Sequence, residues 1–114
     1  MKRDRAYFTD ILLSARSIME LTGDRPFEDF FSDTVAFSAV LYRFIIMGEA
    51  TKRISMESKA AHPEVDWRGM AGQRDVVVHQ YDGIDEYELW TTIQTNVPIV
   101  VRQMEQILEN WPED

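Results

Sequence analysis

The chain predicts an all-α fold, an antiparallel bundle of four main helices, and three observations carry that prediction. Apolar residues recur at i, i+3, i+4 and i+7 over long stretches, the period of one buried helix face. Short connectors rich in Gly, Pro and Asp divide those stretches, and these residues stop and start helices. No run alternates apolar and polar residues as a half-buried strand does. Val76-Val77-Val78 is β-branched, but it is short and lies between helical flanks.

The first long helix is expected from about residue 3 to 22. Phe8, Ile11, Leu12, Ala15, Ile18 and Met19 form its stripe, Arg5, Asp10, Arg16 and Glu20 fall off it, and Gly23 is its stop. Asp24-Arg25-Pro26 is a connector, and Phe27, Phe30 and Phe31 make a short extra helical turn. Ser32 and Asp33 are candidate N-caps for a second long helix ending near residue 57. Its apolar set is Val35, Val40, Leu41, Phe44, Ile45, Met47, Ala50 and Ile54, enough to bury more than one face. Gly48 and Ala50 flank Glu49, and small residues there would let another helix approach closely. Residues 58–66 read as a loop, with Pro63 excluding helix just before it. Asp66 caps a third helix from Trp67 to about Gln80, in which Gly72 marks close packing rather than a break. Tyr81-Asp82-Gly83-Ile84 is a turn, and Asp85 with Glu88 reads as a capping box. The last helical stretch covers about 86–110. Pro98 inside it removes one backbone hydrogen bond, so it kinks there or divides into two helices with Asn96 capping the second.

At 114 residues the chain has the length of a single domain, read as 1–114, and leaves no room for a two-domain enzyme. It has no cysteine, which excludes disulfides, a thiolate zinc site and a cysteine nucleophile, and suits a reducing cytoplasm. No apolar run approaches the ~20 residues of a membrane span, so a cytoplasmic protein with no membrane contact is expected. The formal net charge is −8, which argues against a protein that coats nucleic acid by bulk attraction. That charge is uneven: the first 80 residues sum to −1 and the last 34 to −7. The plain reading of the acidic segment is a solvated face; the rest can still hold a local cationic site.

There are two histidines. His62 precedes Pro63 in the predicted loop, has no neighbours at metal-ligand spacing, and reads as solvent-facing. His79 ends the third helix in Arg74-Asp75-Val76-Val77-Val78-His79-Gln80-Tyr81, an Arg-x4-His-x-Tyr pattern. On a helix, Arg74 and Tyr81 lie within ~20° of each other, while Arg74 and His79 are ~140° apart. Those two meet only if the helix unwinds at His79 or a second copy of the chain supplies the other half. A two-fold dimer about this helix would gather two Arg74 and two His79 in one cleft. Guanidinium binds phosphate and imidazole moves protons near neutral pH, so such a cleft suits RNA phosphodiester cleavage with no metal and no cofactor. Asp75, one helical turn before His79, could fix the imidazole tautomer. Spacing alone favours a surface ion-pair network with a helix-end histidine over a catalytic site.

Gly48-Glu49-Ala50, His62-Pro63-Glu64-Val65-Asp66-Trp67-Arg68, Ala71-Gly72-Gln73-Arg74-Asp75 and His79-Gln80-Tyr81-Asp82-Gly83-Ile84-Asp85 together resemble the HepT family of the HEPN superfamily. Leu89-Trp90 and Val97-Pro98 extend the resemblance over nearly the whole chain. The residue after the arginine is often Asn in that family and is Asp75 here. The resemblance implies a HEPN-like helical domain, a homodimeric endoribonuclease and the toxin of a type VII-like toxin–antitoxin pair. Arg74 and His79 would line the dimer cleft. An MntA-like minimal nucleotidyltransferase would use ATP to attach AMP to Tyr81 and neutralise the toxin. A non-catalytic helical subunit that docks such a nucleotidyltransferase is the alternative. Glu49 could pair with Arg74 and orient it, or serve as an ordinary bundle salt bridge. Lys52 and Arg53 read as a solvated face more readily than as RNA contacts. Tyr7, Trp67 and Trp90 read as core rather than base-stacking platforms, and Met47, Met56, Met70 and Met104 as core fillers.

Overall fold

The computed structural model describes residues 2–112, and among them there is helix and no strand. Helix α1 (Lys2–Thr22) buries Phe8, Ile11, Leu12, Ala15 and Ile18, the predicted stripe; Met19 at its edge is exposed. Gly23 ends it with φ +53°, its N–H donating to the Met19 carbonyl at 2.8 Å, a left-handed stop that glycine adopts without penalty. The aromatic turn is α2 (Phe27–Ser32). Its Phe27 stacks on Tyr87 at 4.8 Å, and Phe30 and Phe31 lie 5.7 and 5.8 Å from Trp90, so this short helix is fastened to a distant part of the chain.

Of the two candidate caps, Asp33 starts α3 (Thr34–Arg53): its carboxylate accepts the Ala36 N–H at 3.1 Å. The Ser32 hydroxyl turns back to the Glu28 carbonyl instead. Helix α3 is 20 residues long with mean hydropathy 1.2, long and apolar enough by length and composition to cross a membrane, contrary to expectation. In the fold it is the central helix, packed between α1 on one side and α5 (Trp67–Gln80) on the other.

The second helix stops earlier than the sequence pattern suggested. Ile54 turns extended (ψ 139°), and Ser55 caps a separate helix, α4 (Met56–Ala61), which takes the last residues expected in the second helix and the first of the stretch read as loop. The cause lies in α1. The buried Asp4 carboxylate accepts the Ser55 N–H at 3.1 Å and the Ser55 and Ser58 hydroxyls at 2.6 Å each. Burial pushes this carboxyl up, and the hydrogen bonds from Ser55 and Ser58 outweigh that and hold it below the ordinary aspartate range. With its first turn in α4, Met56 is exposed rather than a core filler, whereas Met47, Met70 and Met104 are buried as expected.

Helix α5 has its predicted bounds and cap, with the Asp66 carboxylate accepting the Gly69 N–H at 2.9 Å. Tyr81–Gly83 is one 3₁₀ turn. Asp85 then caps α6 (Glu86–Thr91) through the Glu88 N–H at 3.1 Å. A π-helical turn (Thr92–Asn96) joins α6 to α7 (Val97–Glu109). Pro98 has no N–H to give, and the wider turn absorbs the misfit: Val97 N–H reaches back five residues to the Thr92 carbonyl. The backbone stays helical through Asn96, whose side chain caps nothing, so the break expected there is a π-turn.

Neighbouring helices run antiparallel. Asp4 near the start of α1 meets Ser55 after the end of α3, Thr51 late in α3 meets Met70 early in α5, and Phe8 in the first half of α1 meets Trp111 past the end of α7. The packing order is α7–α1–α3–α5, with one core running through it. Tyr7, Trp67 and Trp90 pack against that core, as predicted. His62 does not simply face solvent: its ring sits 5.8 Å from Phe8, edge to face, beside Trp67 and Trp111 on the same phenyl ring.

Candidate active site

A tight approach of two helices places the site. A Cβ built on Gly48 would overlap the Cβ of Arg74, 2.8 Å from its Cγ and 3.1 Å from the Met70 carbonyl oxygen. Glycine at 48 therefore lets α5 lie directly on α3, with the stem of Arg74 pressed against the α3 backbone. The predicted small-residue approach falls here, at Gly48. Gly72, expected to mark close packing, is open to solvent with nothing near it.

Pinned this way, the Arg74 guanidinium lies between two carboxylates. Glu49 Oε2 is 3.3 Å from Nε, and Asp75 Oδ1 accepts from Nη1 at 3.0 Å. The Glu49 contact is a charge pair and not an aligned hydrogen bond, since the buried Nε–H has no acceptor in line. Glu49 thus meets the arginine as the sequence suggested. Lys52, read as a solvated side chain, reaches the same Asp75 oxygen at 2.8 Å. The hydrogen bond from Lys52, then that from Arg74, holds the Asp75 carboxyl below the ordinary aspartate range. Asp75 is accordingly committed to two cations of its own neighbourhood. It does not orient His79, because the carboxylate turns toward α3 while His79 lies a turn further along.

His79 is exposed in the last turn of α5 and makes no hydrogen bond or ion pair among the described residues. Helix α5 runs unbroken through Gln80, so the unwinding that would bring His79 round to Arg74 within one chain does not occur. The rotation of ~140° between them stands. Gln80 departs from helical geometry at φ −133°, ψ 26°, one residue before Tyr81. The helical register that would lay Tyr81 over Arg74 therefore ends just short of it, and Tyr81 stands 69% exposed on the 3₁₀ turn. Val76 and Val78, on either side of His79's face, are exposed too.

A cleft of about 400 Å³ opens elsewhere, between α5 and α7, with Phe44, Met47 and Met70 at its floor and Gln73, Asn96 and Gln103 at its rim. Its charged lining groups are Glu64 and Asp66, so it offers nothing cationic to a phosphate and includes none of Arg74, Asp75, His79 or Tyr81.

The fold and the site thus combine an all-helical domain, an arginine held between two helices and an exposed histidine further along one of them. The sequence profile of the family described as Ribonuclease HepT-like matches residues 11–107. A protein of Thermococcus cleftensis named "Probable ribonuclease HepT" is 38% identical over 108 residues, 94% of this chain and 98% of its own. A candidate RNase of Caldanaerobacter subterraneus subsp. tengcongensis is 34% identical, covering 96% and 97% of the two chains. Another, from Methanocaldococcus jannaschii, is 33% identical over 96% and 91%. No solved structure matches significantly. The chain belongs to the HepT-like ribonuclease family.

Proposed function

We propose that this chain is a metal-independent endoribonuclease that acts as a homodimer in the cytoplasm and serves as the toxin of a type VII-like toxin–antitoxin pair. The observation that carries the reading is the division of labour along α5. Arg74 is fixed by Gly48 and Glu49 on one side of the helix, and His79 is free on another, beside exposed Val76 and Val78. One chain holds the two halves apart; a two-fold axis crossing α5 at right angles sets two copies of the helix antiparallel, joins Arg74 of one copy to His79 of the other and covers the valines.

The chemistry then balances simply. The His79 imidazole takes the proton of the RNA 2′-hydroxyl, and the 2′-oxygen attacks the adjacent phosphorus. The Arg74 guanidinium holds the phosphate oxygens as negative charge builds on them. The bond from phosphorus to the 5′-oxygen breaks, that oxygen takes a proton from solvent, and a 2′,3′-cyclic phosphate remains. Neutralisation by a partner minimal nucleotidyltransferase fits the exposure of Tyr81: AMP joined to its hydroxyl from ATP, with pyrophosphate leaving, would set bulk and negative charge beside the cleft.

The test incubates purified protein with RNA, with and without the partner and ATP. Cleavage that is lost in Arg74→Ala and in His79→Ala, and that fades as AMP mass accumulates on Tyr81, is the expected result. Cleavage unchanged in both variants refutes the site. No cleavage in any state selects the non-catalytic binding subunit instead.

A further inference from the structure

We propose that Lys52 is a positioning residue of the Arg74 site, admitting the RNA phosphate by neutralising Asp75 rather than by touching the phosphate itself. The proposal rests on the ribonuclease reading above and names what makes its cleft receptive. Lys52 lies one helical turn after Gly48 and three residues after Glu49 on α3, and all three address α5. Gly48 fixes the arginine stem, Glu49 Oε2 stands 3.3 Å from Nε, and Asp75 Oδ1 takes a hydrogen bond from Nη1 at 3.0 Å.

The charges decide the rest. Arg74 with Glu49 and Asp75 carries a net charge of minus one, doubled across a two-fold axis, and such a site repels a phosphodiester. Lys52 changes the sign of that argument. Its Nζ sits 2.8 Å from the same Asp75 oxygen, so the four groups sum to zero and the carboxylate is shared instead of resting on the guanidinium alone. No hydrogen bond from Nη2 forms among the described residues, and Nη1 keeps its second hydrogen. The outer edge of the fork is open for a bidentate phosphate contact once Asp75 is held by Lys52. The Lys52–Asp75 pair is too exposed, at 39% and 50%, to matter much to folding, so its effect falls on the local potential.

The experiment measures binding and cleavage separately. Fluorescence anisotropy follows a labelled 2′-O-methyl oligoribonucleotide, which has no free 2′-hydroxyl and cannot be cut. Steady-state cleavage follows the unmodified RNA of the same sequence. Lys52→Met is expected to weaken binding about tenfold at low salt, raising KM with kcat little changed, and to approach wild type as salt rises. Lys52→Arg is expected to behave as wild type. Lys52→Met with Asp75→Asn returns the group to zero net charge and is expected to recover binding to within about twofold. A double variant as weak as Lys52→Met would mean that Lys52 meets the phosphate directly, and overturns the proposal; so does wild-type binding by Lys52→Met at low salt. Wild-type protein that binds but does not cut overturns the nuclease reading alone, and wild-type protein that does not bind overturns both.

Discussion

Gly48→Ala is the smallest change that tests how the site is built. Its magnitude has two opposing parts. Alanine in place of glycine inside a helix is worth about 0.8–1 kcal/mol of added stability. Against that, the new methyl lands on the Arg74 Cβ and within 3.1 Å of the Met70 carbonyl oxygen, both fixed to the α5 backbone. Carbon atoms need about 3.5 Å, so α5 must retreat from α3 by roughly 1.5 Å. Overpacking of this kind costs about 1–3 kcal/mol. The retreat also loosens Met70 and Val77, both buried in the core. The net expectation is a loss of about 1–2 kcal/mol, a melting temperature lower by roughly 4 °C per kcal/mol in a domain of this size. Gly72→Ala is the internal control, because a Cβ there meets nothing and only the propensity gain remains. Chemical denaturation of the two variants should therefore move in opposite directions from wild type. The retreat also separates Arg74 from Glu49, so RNA cleavage by Gly48→Ala should fall further than its stability does. A Gly48→Ala protein as stable as Gly72→Ala would show that α5 does not lie on α3 as described.

Other consequences are open to direct measurement. Asp4→Asn puts an amide NH2 where one carboxylate oxygen stands, so either the Ser55 N–H at Oδ1 or the Ser55 and Ser58 hydroxyls that share Oδ2 lose their acceptor, and a loss of about 1–3 kcal/mol is expected in urea unfolding. Asp4 titrates lower in the fold than in the unfolded chain. Its contribution is thus present above the unfolded value and is lost as pH falls through the folded one. Below about pH 4 the stability curves of wild type and Asp4→Asn should converge. Arg74→Ala and His79→Ala should each reduce RNA cleavage by about a hundredfold or more, with circular dichroism unchanged. Excess chelator should leave the wild-type rate unaltered; a strict divalent-metal requirement would argue against the imidazole route. Tyr81→Phe should melt within about 0.5 kcal/mol of wild type, since the ring is exposed, and should accept no AMP from the partner nucleotidyltransferase.

Much of this was legible in the sequence wherever the cause is local. The bounds of α5 follow from Asp66 at its cap, and the Gly48-Glu49 spacing announces a helix pressed close to another. The break at Ile54 was hidden because its cause, Asp4, stands far upstream, and no local signal shows that Ser55 will find a buried carboxylate. Pro98 announced a disturbance, but whether a helix kinks, ends or widens depends on what α7 packs against. In the site, Arg74 with Glu49 could be inferred from small residues flanking an acid. Lys52 on Asp75 could not, because a pair between two helices depends on their mutual rotation. The expected Asp75–His79 pairing failed for the same reason: two cations outbid a neighbour on the same helix. A glycine alone does not reveal whether it marks contact or open solvent, and here Gly48 marks one and Gly72 the other.

The central claim is that Arg74 of one copy works with His79 of another. Co-refolding Arg74→Ala with His79→Ala tests it most directly. Each variant alone is inactive on this account, but a mixed dimer joins an intact Arg74 to an intact His79 at one of its two sites. Statistical mixing should then restore RNA cleavage to about a quarter of the wild-type rate. A mixture as inactive as either variant alone, beside an active wild type refolded in the same way, would contradict the shared site.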